Sequence, residues 1–177
     1  MLDLAIKHEE ELKRKILETR FVEKYKFENA TSYFNDLEIK KIFIGWDGFQ
    51  MVSVDSEGNV IGFFQINLDR DTFNLYGLRI LNFSDNKVLF AKDLKNFIMK
   101  MVEREDIRKI NFEVVIGNPI EKSYDKMMKK YGGRIVGIRE KEVKLFDGKI
   151  YDLKMYEIFI DEIRQTLRKR DWKEVKI

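Results

Sequence analysis

The chain has no cysteine, a single histidine and a single proline among its 177 residues. Without cysteine it has no thiol nucleophile, no thiolate zinc site and no disulfide bond. The lone His8 argues against a catalytic triad with a histidine base and against a multi-histidine metal site, so we expect no metal. The reactive group of any chemistry is therefore expected to come from elsewhere.

Long apolar runs are also missing. No stretch approaches the ~18 apolar residues that a membrane-crossing helix needs. Residues 1–15 carry four acidic side chains among their apolar residues, and they lack the uninterrupted apolar run and the small-residue cleavage site of a signal peptide. We expect a cytoplasmic protein without a membrane anchor.

Aromatic residues are plentiful, at 13% of the chain, and a chain of this length can bury roughly 70% of its unfolded surface. One domain over residues 1–177 can therefore hold a core without metal or disulfides. The formal net charge of +3 is small beside 34 basic and 31 acidic side chains, so a solvated surface is favoured over polyanion binding. Nucleic acid is an unlikely partner on this count.

The spacing of apolar residues predicts the order of helices and strands. Residues 3 to about 28 have the three- to four-residue spacing of an amphipathic helix, and 29–36 a short second helix or packed loop, so 1–36 is expected to be helical. From Phe49 onward the apolar residues recur at every second position, which is the spacing of β-strands. The predicted strands are 49–54, 60–68, 72–83, 110–116, 134–146 and 149–159. One predicted helix begins after Asp85 and Asn86, and a second runs from Pro119 to about Lys130 with Asn118 as its cap. A third helix is expected in the tail, within 161–177.

Turn signals join neighbouring strands, with Gly58-Asn59 in one hairpin and Asp147-Gly148 in another. The strand-helix-strand unit in the middle of the chain requires a parallel pairing, whereas the hairpins are antiparallel. The sequence therefore predicts an α+β fold, with a mixed, largely antiparallel sheet of about six strands flanked by helices.

Two junctions between a strand and a helix could hold a ligand. The first follows Phe83, where free N–H groups and the positive end of a helix dipole would combine with Lys87, Lys92 and Lys95 to attract an anion. The second is Gly117-Asn118-Pro119, which opens a helix with net positive charge. Each has a plain structural interpretation, because every helix has such an end, Asn118 is a good cap, and Tyr124 fits a core position.

The occurrence of both junctions, in this order and in one small sheet, resembles the GNAT superfamily of acyl-CoA-dependent N-acyltransferases. The resemblance covers about residues 49–159. It is carried by the segments FQMVSVDSEGNVIGFFQI, TFNLYGLRILNF, NKVLFAKDLKNFI, VVIGNPIEKSYDKM and YGGRIVGIREKEVKLFDGKIYDLKMYEI. The family's usual opening strand is not evident in the sequence.

The resemblance implies a GNAT-like fold in which the two central strands pair in parallel and then splay, with acetyl-CoA between them. The family's pyrophosphate loop reads Gln/Arg-x-x-Gly-x-Gly/Ala, and the matching stretch 86–91 has Leu89 in place of a glycine. The implied residues for binding coenzyme A are Leu81, Asn82, Phe83, Asn86, Lys87, Val88, Leu89, Phe90, Ala91, Lys92, Asn118 and Tyr124.

The resemblance also implies direct acetyl transfer to an amine of a small molecule or peptide, with Tyr124 protonating the departing CoA thiolate. An attacking amine must first lose a proton, because an ammonium has no lone pair. Glu113 on the central strand is a candidate base acting through water. Glu38 or Asp71 could serve equally well, and an ordinary solvated strand glutamate explains Glu113 without any role.

Two other functions remain open from the sequence. The chain could be a non-catalytic binding or interaction module of the same fold, because its loop lacks the glycine. It could also bind nucleic acid through the basic segment Lys122–Arg134, with Phe63, Tyr76 and Phe83 as stacking platforms. The sequence identifies neither the acceptor nor an oligomeric state, although a homo-oligomer is compatible with it.

Overall fold

The computed structural model describes residues 1–20, 22–26, 47–85 and 87–174, and these form a seven-stranded mixed sheet with helices on both faces. The strands are β1 (Leu2–Leu4), β2 (Gly48–Val54), β3 (Val60–Asp69), β4 (Asn74–Asn82), β5 (Lys109–Val115), β6 (Arg134–Lys144) and β7 (Ile150–Phe159). Their spatial order is β1-β2-β3-β4-β5-β7-β6, and every neighbouring pair is antiparallel except β4 with β5. The predicted α+β class and the parallel central pair are confirmed, with seven strands in place of about six.

Four α-helices accompany the sheet: α1 (Glu9–Arg20), α2 (Lys87–Val102), α3 (Glu121–Tyr131) and α4 (Ile160–Glu174). In α2 the buried side chains of Phe97, Met101 and Val102 lie on one stripe that faces the sheet, because Met101 and Val102 follow Phe97 by four and five residues, or about one turn. Within the described residues, no helix has the length and hydropathy that a bilayer crossing demands.

The first 28 residues are not one helix, and this prediction is wrong. Residues Leu2–Leu4 form β1, which pairs antiparallel with β2, so the opening strand that the sequence did not reveal is present. A 3₁₀ turn over Ala5–His8 leads into α1, and a second one covers Lys24–Lys26. The predicted second helix or packed loop at 29–36 lies outside the described residues.

The helix α3 begins two residues later than predicted. Asn118 and Pro119 lie in a turn before it, where the Asn118 side-chain oxygen accepts a hydrogen bond from the Ile120 N–H at 3.1 Å. The Asn118 carbonyl accepts one from the Glu121 N–H at 2.9 Å. Asn118 thus stabilises the entry turn, and Pro119 precedes the first helical residue.

The core is divided between the two faces of the sheet. On one face α2, α3 and α4 cover a large cluster centred on Phe64, Phe97, Phe112 and Tyr156, each of them at most 2% exposed. On the other face α1 packs Leu12 against the β2–β3 hairpin. The central strands are therefore covered on the first face by the helices that follow β4 and β5.

Candidate functional site

The strands β4 and β5 pair only at their first residues. Asn74 is opposite Lys109 and Leu75 is opposite Ile110, and the two strands share no further pair in the part of the chain that the structure describes. Beyond Ile110, β5 pairs with β7 on its other side. Two parallel strands joined only at one end leave a gap at the other. We call this gap the slot, bounded by residues 78–82 of β4 and 111–115 of β5.

A β-bulge marks the point where β4 leaves β5. Gln65 of β3 is opposite Arg79 and Asn67 is opposite Tyr76, so β4 has an additional residue in this interval. Bulges bend a strand and increase its twist. Gly77 lies in the bulge at φ +63°, and a Cβ there would be 2.8 Å from the Asn67 side-chain nitrogen, so glycine is required.

Both helices that follow the slot strands begin at its open end. The helix α2 starts at Lys87, five residues after the end of β4, and α3 starts at Glu121, six residues after the end of β5. The N–H groups of a first helical turn and the helix dipole make such an end favourable for an anion. Lys87, Lys92 and Lys95 on α2 are all exposed and add mobile positive charge.

The predicted cofactor residues at the end of β4 can offer main-chain groups only. The side chain of Leu81 is buried in the cluster under α1, with Phe83 packed beside it. The Asn82 side-chain oxygen accepts a hydrogen bond from the Ser84 N–H at 3.1 Å, and the Phe83 N–H donates to the Ile61 carbonyl at 2.9 Å. Asn86 lies outside the described residues.

The first turns of α2 hold the aromatic side chain that anchors this helix to the sheet. A Cβ at Gly62 of β3 would be only 2.5 Å from the Phe90 ring, so glycine lets the ring lie directly on the strand. The Phe90 and Phe64 ring centroids are 5.2 Å apart. Val88 is 82% exposed, Leu89 is half-buried, and Ala91 and Lys92 are exposed, so part of the predicted loop faces solvent.

Tyr124 lies on α3 against β5. Its ring meets Phe112 edge-on, with centroids 5.0 Å apart, and lies 6.1 Å from the ring of Tyr156. Burial raises the pKa of Tyr124 to about 12. Its hydroxyl has no hydrogen-bond partner among the described residues, whereas the Tyr156 hydroxyl donates to Asp125 at 2.8 Å. Tyr124 is therefore a neutral phenol at neutral pH.

The raised pKa predicts a loss of stability in alkali. The phenol has a pKa of 10.0 when unfolded and about 12 when folded, so its contribution to stability is complete below pH 10 and is lost as the pH rises through 12. We expect the free energy of unfolding of the wild type to fall above pH 10 more steeply than that of Y124F, by at most about 1.4 kcal/mol per pH unit. Urea titrations at pH 8 to about 11.5 measure this difference.

The matched control is Tyr76, which is 47% exposed on β4. Y76F is expected to retain the steep alkaline loss of the wild type. Equal slopes for the wild type and Y124F would contradict the assignment of this titration to Tyr124.

The three candidate bases have different positions. Glu113 is exposed on β5 and forms an ion pair with Arg139 of β6, and it points to the face opposite Phe112 and Tyr124, since neighbouring strand residues alternate. Asp71 lies in the β3–β4 turn at the paired end of β4, nine residues before Ile80 in the middle of the slot, and the six of these along β4 alone span ~20 Å. Glu38 lies outside the described residues.

Most of the aromatic rings predicted to stack on nucleic-acid bases are not exposed. Phe63 is 2% exposed within the core under α1, and Phe83 packs against the same cluster, so neither ring is open to a base. Of the three predicted platforms only Tyr76 is exposed. Arg134, at the end of the basic segment, pairs with Glu157.

The sequence interpretation missed two features of this region. Gly77 interrupts a long predicted strand, and an isolated glycine inside a strand is a known signal for a bulge. Lys154 of β7, whose side chain lies between Glu121 and Asp125 of α3, stood in an alternating strand like any other polar residue. A contact between β7 and α3 has no local signal in the sequence.

Comparisons with known proteins bear on this geometry. No protein-family model matches the chain, and no curated protein matches it. Among solved structures, spermidine N-acetyltransferase from Vibrio cholerae in complex with CoA and spermine matches with a TM-score of 0.70 at 19% identity, over 92% of this chain and 96% of that one. An acetyltransferase of GNAT family from Streptococcus pneumoniae matches with a TM-score of 0.67 at 18% identity, over 90% and 98%.

The fold is that of the GNAT acetyltransferases. The match extends over most of both chains, so it includes the GNAT-type sheet and not only the central strands. At identities of 18–19% the likeness concerns the fold alone. What this GNAT fold does is therefore argued from the slot and its residues.

Proposed function

We propose that the chain is an N-acetyltransferase that moves an acetyl group from acetyl-CoA directly to an amine. The observation that carries the proposal is the slot: β4 and β5 pair at only two positions and then separate at a bulge. An extended, amide-containing chain such as the pantetheine of CoA can bond to the main-chain groups that separated strands leave open. The Vibrio cholerae structure of the same fold holds CoA and spermine.

The residues around the slot fit this cofactor. Main-chain groups at the end of β4, near Leu81 and Asn82, would bind the pantetheine arm, whereas the N–H of the following Phe83 is already bonded to the Ile61 carbonyl. The start of α2, from Lys87 to Lys92, would receive the diphosphate through its dipole and its exposed lysines. Asn118 and Tyr124 would border the other side, at the end of β5 and on α3. Gly62 lets Phe90 hold the start of α2 close to β3.

Acetyl-CoA supplies an activated thioester, and the residues of this chain position it and move protons. Main-chain N–H groups of β4 beside the bulge are the donors that would stabilise the oxyanion formed when the amine attacks. Tyr124 holds a proton on its hydroxyl at neutral pH and would donate it to the departing thiolate sulfur. The partly buried ring keeps this donor neutral until it is used.

The amine has to reach the slot without its extra proton, and a free alkylamine has a pKa of about 10.4. Glu113 would accept that proton through a water chain, from the face opposite Tyr124. Its carboxylate is exposed and contacts the guanidinium of Arg139. The acceptor is proposed to be a small-molecule or peptide amine in the cytoplasm.

The direct test is binding and turnover. Acetyl-CoA at 100 times its dissociation constant is expected to stabilise the protein by about 2.7 kcal/mol, which raises the melting temperature by roughly 5–10 °C. Differential scanning fluorimetry with acetyl-CoA, CoA and pantothenate measures this shift, and mass spectrometry with a panel of amines detects acetylated product. Pantothenate, which lacks the diphosphate, is expected to give a much smaller shift.

The outcomes separate the two candidate functions of this fold. A shift with acetyl-CoA together with acetylated product supports the enzyme. An intact melting transition that does not move with millimolar acetyl-CoA or CoA would contradict it and would favour the non-catalytic module, whose loop has lost the cofactor along with its glycine.

A further inference from the structure

Outside the slot, the most developed polar cluster of the described residues is centred on Lys154 of β7. Its ammonium nitrogen lies 2.6 Å from an Oε1 of Glu121 and 3.2 Å from both carboxylate oxygens of Asp125. The Lys154 side chain is only 13% exposed. Hydrogen bonding to Glu121 raises the pKa of Lys154, so it is fully charged at neutral pH.

Each carboxylate of this cluster makes a second contact outside α3. The other oxygen of Glu121 accepts a hydrogen bond from the N–H of Gly117, just after β5, at 3.0 Å. Asp125 accepts one from the hydroxyl of Tyr156 on β7 at 2.8 Å. Lys154 therefore links β7, the end of β5 and the first turns of α3. We call Lys154, Glu121 and Asp125 the clamp.

The clamp lies on the helix that carries Tyr124, the tyrosine that the proposed reaction uses. Glu121 and Asp125 are four residues apart and so lie on one side of α3, and Tyr124 stands between them in the sequence. The Tyr156 ring that bonds to Asp125 stacks on Phe112 at 4.9 Å, and Phe112 contacts the Tyr124 ring. The clamp thus fixes both the helix that carries Tyr124 and a ring against which Tyr124 packs.

Removal of the lysine charge would leave the two carboxylates of the clamp to repel each other. Glu121 and Asp125 are acidic neighbours at i and i+4, a spacing at which like charges destabilise a helix. Breaking a largely buried ion pair by removing one partner also leaves the other without compensation. The first turns of α3 are then expected to move away from β7, together with Tyr124.

We propose that Lys154 is a positioning residue that holds the Tyr124 hydroxyl at the slot through Glu121 and Asp125. The expected effect of Lys154 on catalysis rests on the proposed function, but its effect on the position of α3 and Tyr124 does not. Lys154 touches neither the slot strands' open edges nor the reacting atoms, so its effect on the reaction passes through Tyr124.

The first arm of the test needs no activity. The Cζ carbons of ¹³C-labelled tyrosines are observed by NMR in the full chain, and the Tyr124 signal is assigned by its loss in Y124F. In K154M we expect this signal to shift and its titration to move from near pH 12 towards 10, because the loosened α3 lets water reach the phenol. K154R, which keeps the charge, is expected to retain most of the wild-type behaviour.

The matched control is Lys109, a partly buried lysine of β5 whose ammonium lies 2.8 Å from Glu157 and away from α3. K109M loses a comparable ion pair and is expected to leave the Tyr124 signal unchanged. A folded K154M whose Tyr124 signal and titration equal those of the wild type would overturn the inference. If K154M does not fold, E121A is used instead, because it removes the contacts of Glu121 with Lys154 and Gly117. A folded E121A whose Tyr124 signal and titration equal those of the wild type would then overturn the inference.

The second arm measures acetyl transfer. K154M is expected to lower kcat by about 10- to 100-fold with KM for acetyl-CoA changed by less than about twofold, since a misplacement near 1 Å can cost that much. In the Y124F background the same substitution should have little further effect, because the two residues act as a unit. Full additivity would overturn the inference. Absence of any CoA binding would contradict the proposed function instead, and the NMR arm would still decide the clamp.

Discussion

Y124F is expected to lower kcat for acetyl transfer by about 100-fold or more, while KM for acetyl-CoA and the CoA-induced rise in melting temperature stay close to wild type. The substitution removes only the hydroxyl, which makes no hydrogen bond within the described residues. The ring contacts with Phe112 and Tyr156 are retained, so the helix keeps its place. Steady-state kinetics and fluorimetry on the same preparations measure both quantities.

Tyr131 provides the matched control for this substitution. It is the last residue of α3, seven positions after Tyr124 and so on the same side of the helix, and it packs against the same core. Y131F is expected to leave kcat within about twofold of wild type, because effects of general acid catalysis are local to the donor. An unchanged kcat in Y124F would remove Tyr124 from the mechanism.

F112A is expected to have the largest effect on stability. Phe112 is 2% exposed and supports the rings of both Tyr124 and Tyr156. Loss of a buried phenyl ring costs about 3–5 kcal/mol, which corresponds to a fall in melting temperature of roughly 10 °C. Because the Tyr124 ring would lose its edge contact, we also expect kcat to fall in the protein that remains folded.

A substitution of Phe97 in α2 distinguishes the loss of stability from the loss of kcat. Phe97 is fully buried and stacks on Phe64 with ring centroids 5.5 Å apart, far along the core from the tyrosines. F97A is expected to lose a similar free energy of unfolding, measured by urea denaturation, while kcat falls much less at a temperature where both variants are folded. Equal losses of kcat in F97A and F112A would show that only general destabilisation was measured.

Secondary structure was predicted best where apolar residues recur every two or 3.6 positions over several residues. Strands β2 to β7 and helices α2 to α4 were predicted within a few residues of their bounds, because each has enough turns or alternations to display its period. β1 has three residues, Leu2-Asp3-Leu4, which are too few to distinguish a strand from the first turn of a helix. Its identity is set by pairing with β2, a contact made across about fifty residues of chain.

The candidate site was predictable in outline. The strand-helix-strand order indicated that β4 and β5 would pair in parallel, and the pairing confirms this. Their separation was implied by the resemblance to the GNAT superfamily, and the register shows no pair between them beyond Leu75 and Ile110 in the described residues. The roles of Tyr124, Glu113 and the cofactor residues stay predictions. The clamp could not be predicted, because Lys154 meets Glu121 and Asp125 only when β7 is inserted beside β5.

That insertion also determines when the sheet can be completed during synthesis. β6 leaves the ribosome before β7, yet β7 is its only neighbour in the sheet that the described residues form. Until β7 follows, β6 has no hydrogen-bonding partner, and its Ile135, Val136 and Ile138 side chains, about half exposed even in the finished fold, are open to other chains. The nascent protein is thus exposed to aggregation in the interval between the synthesis of β6 and that of β7.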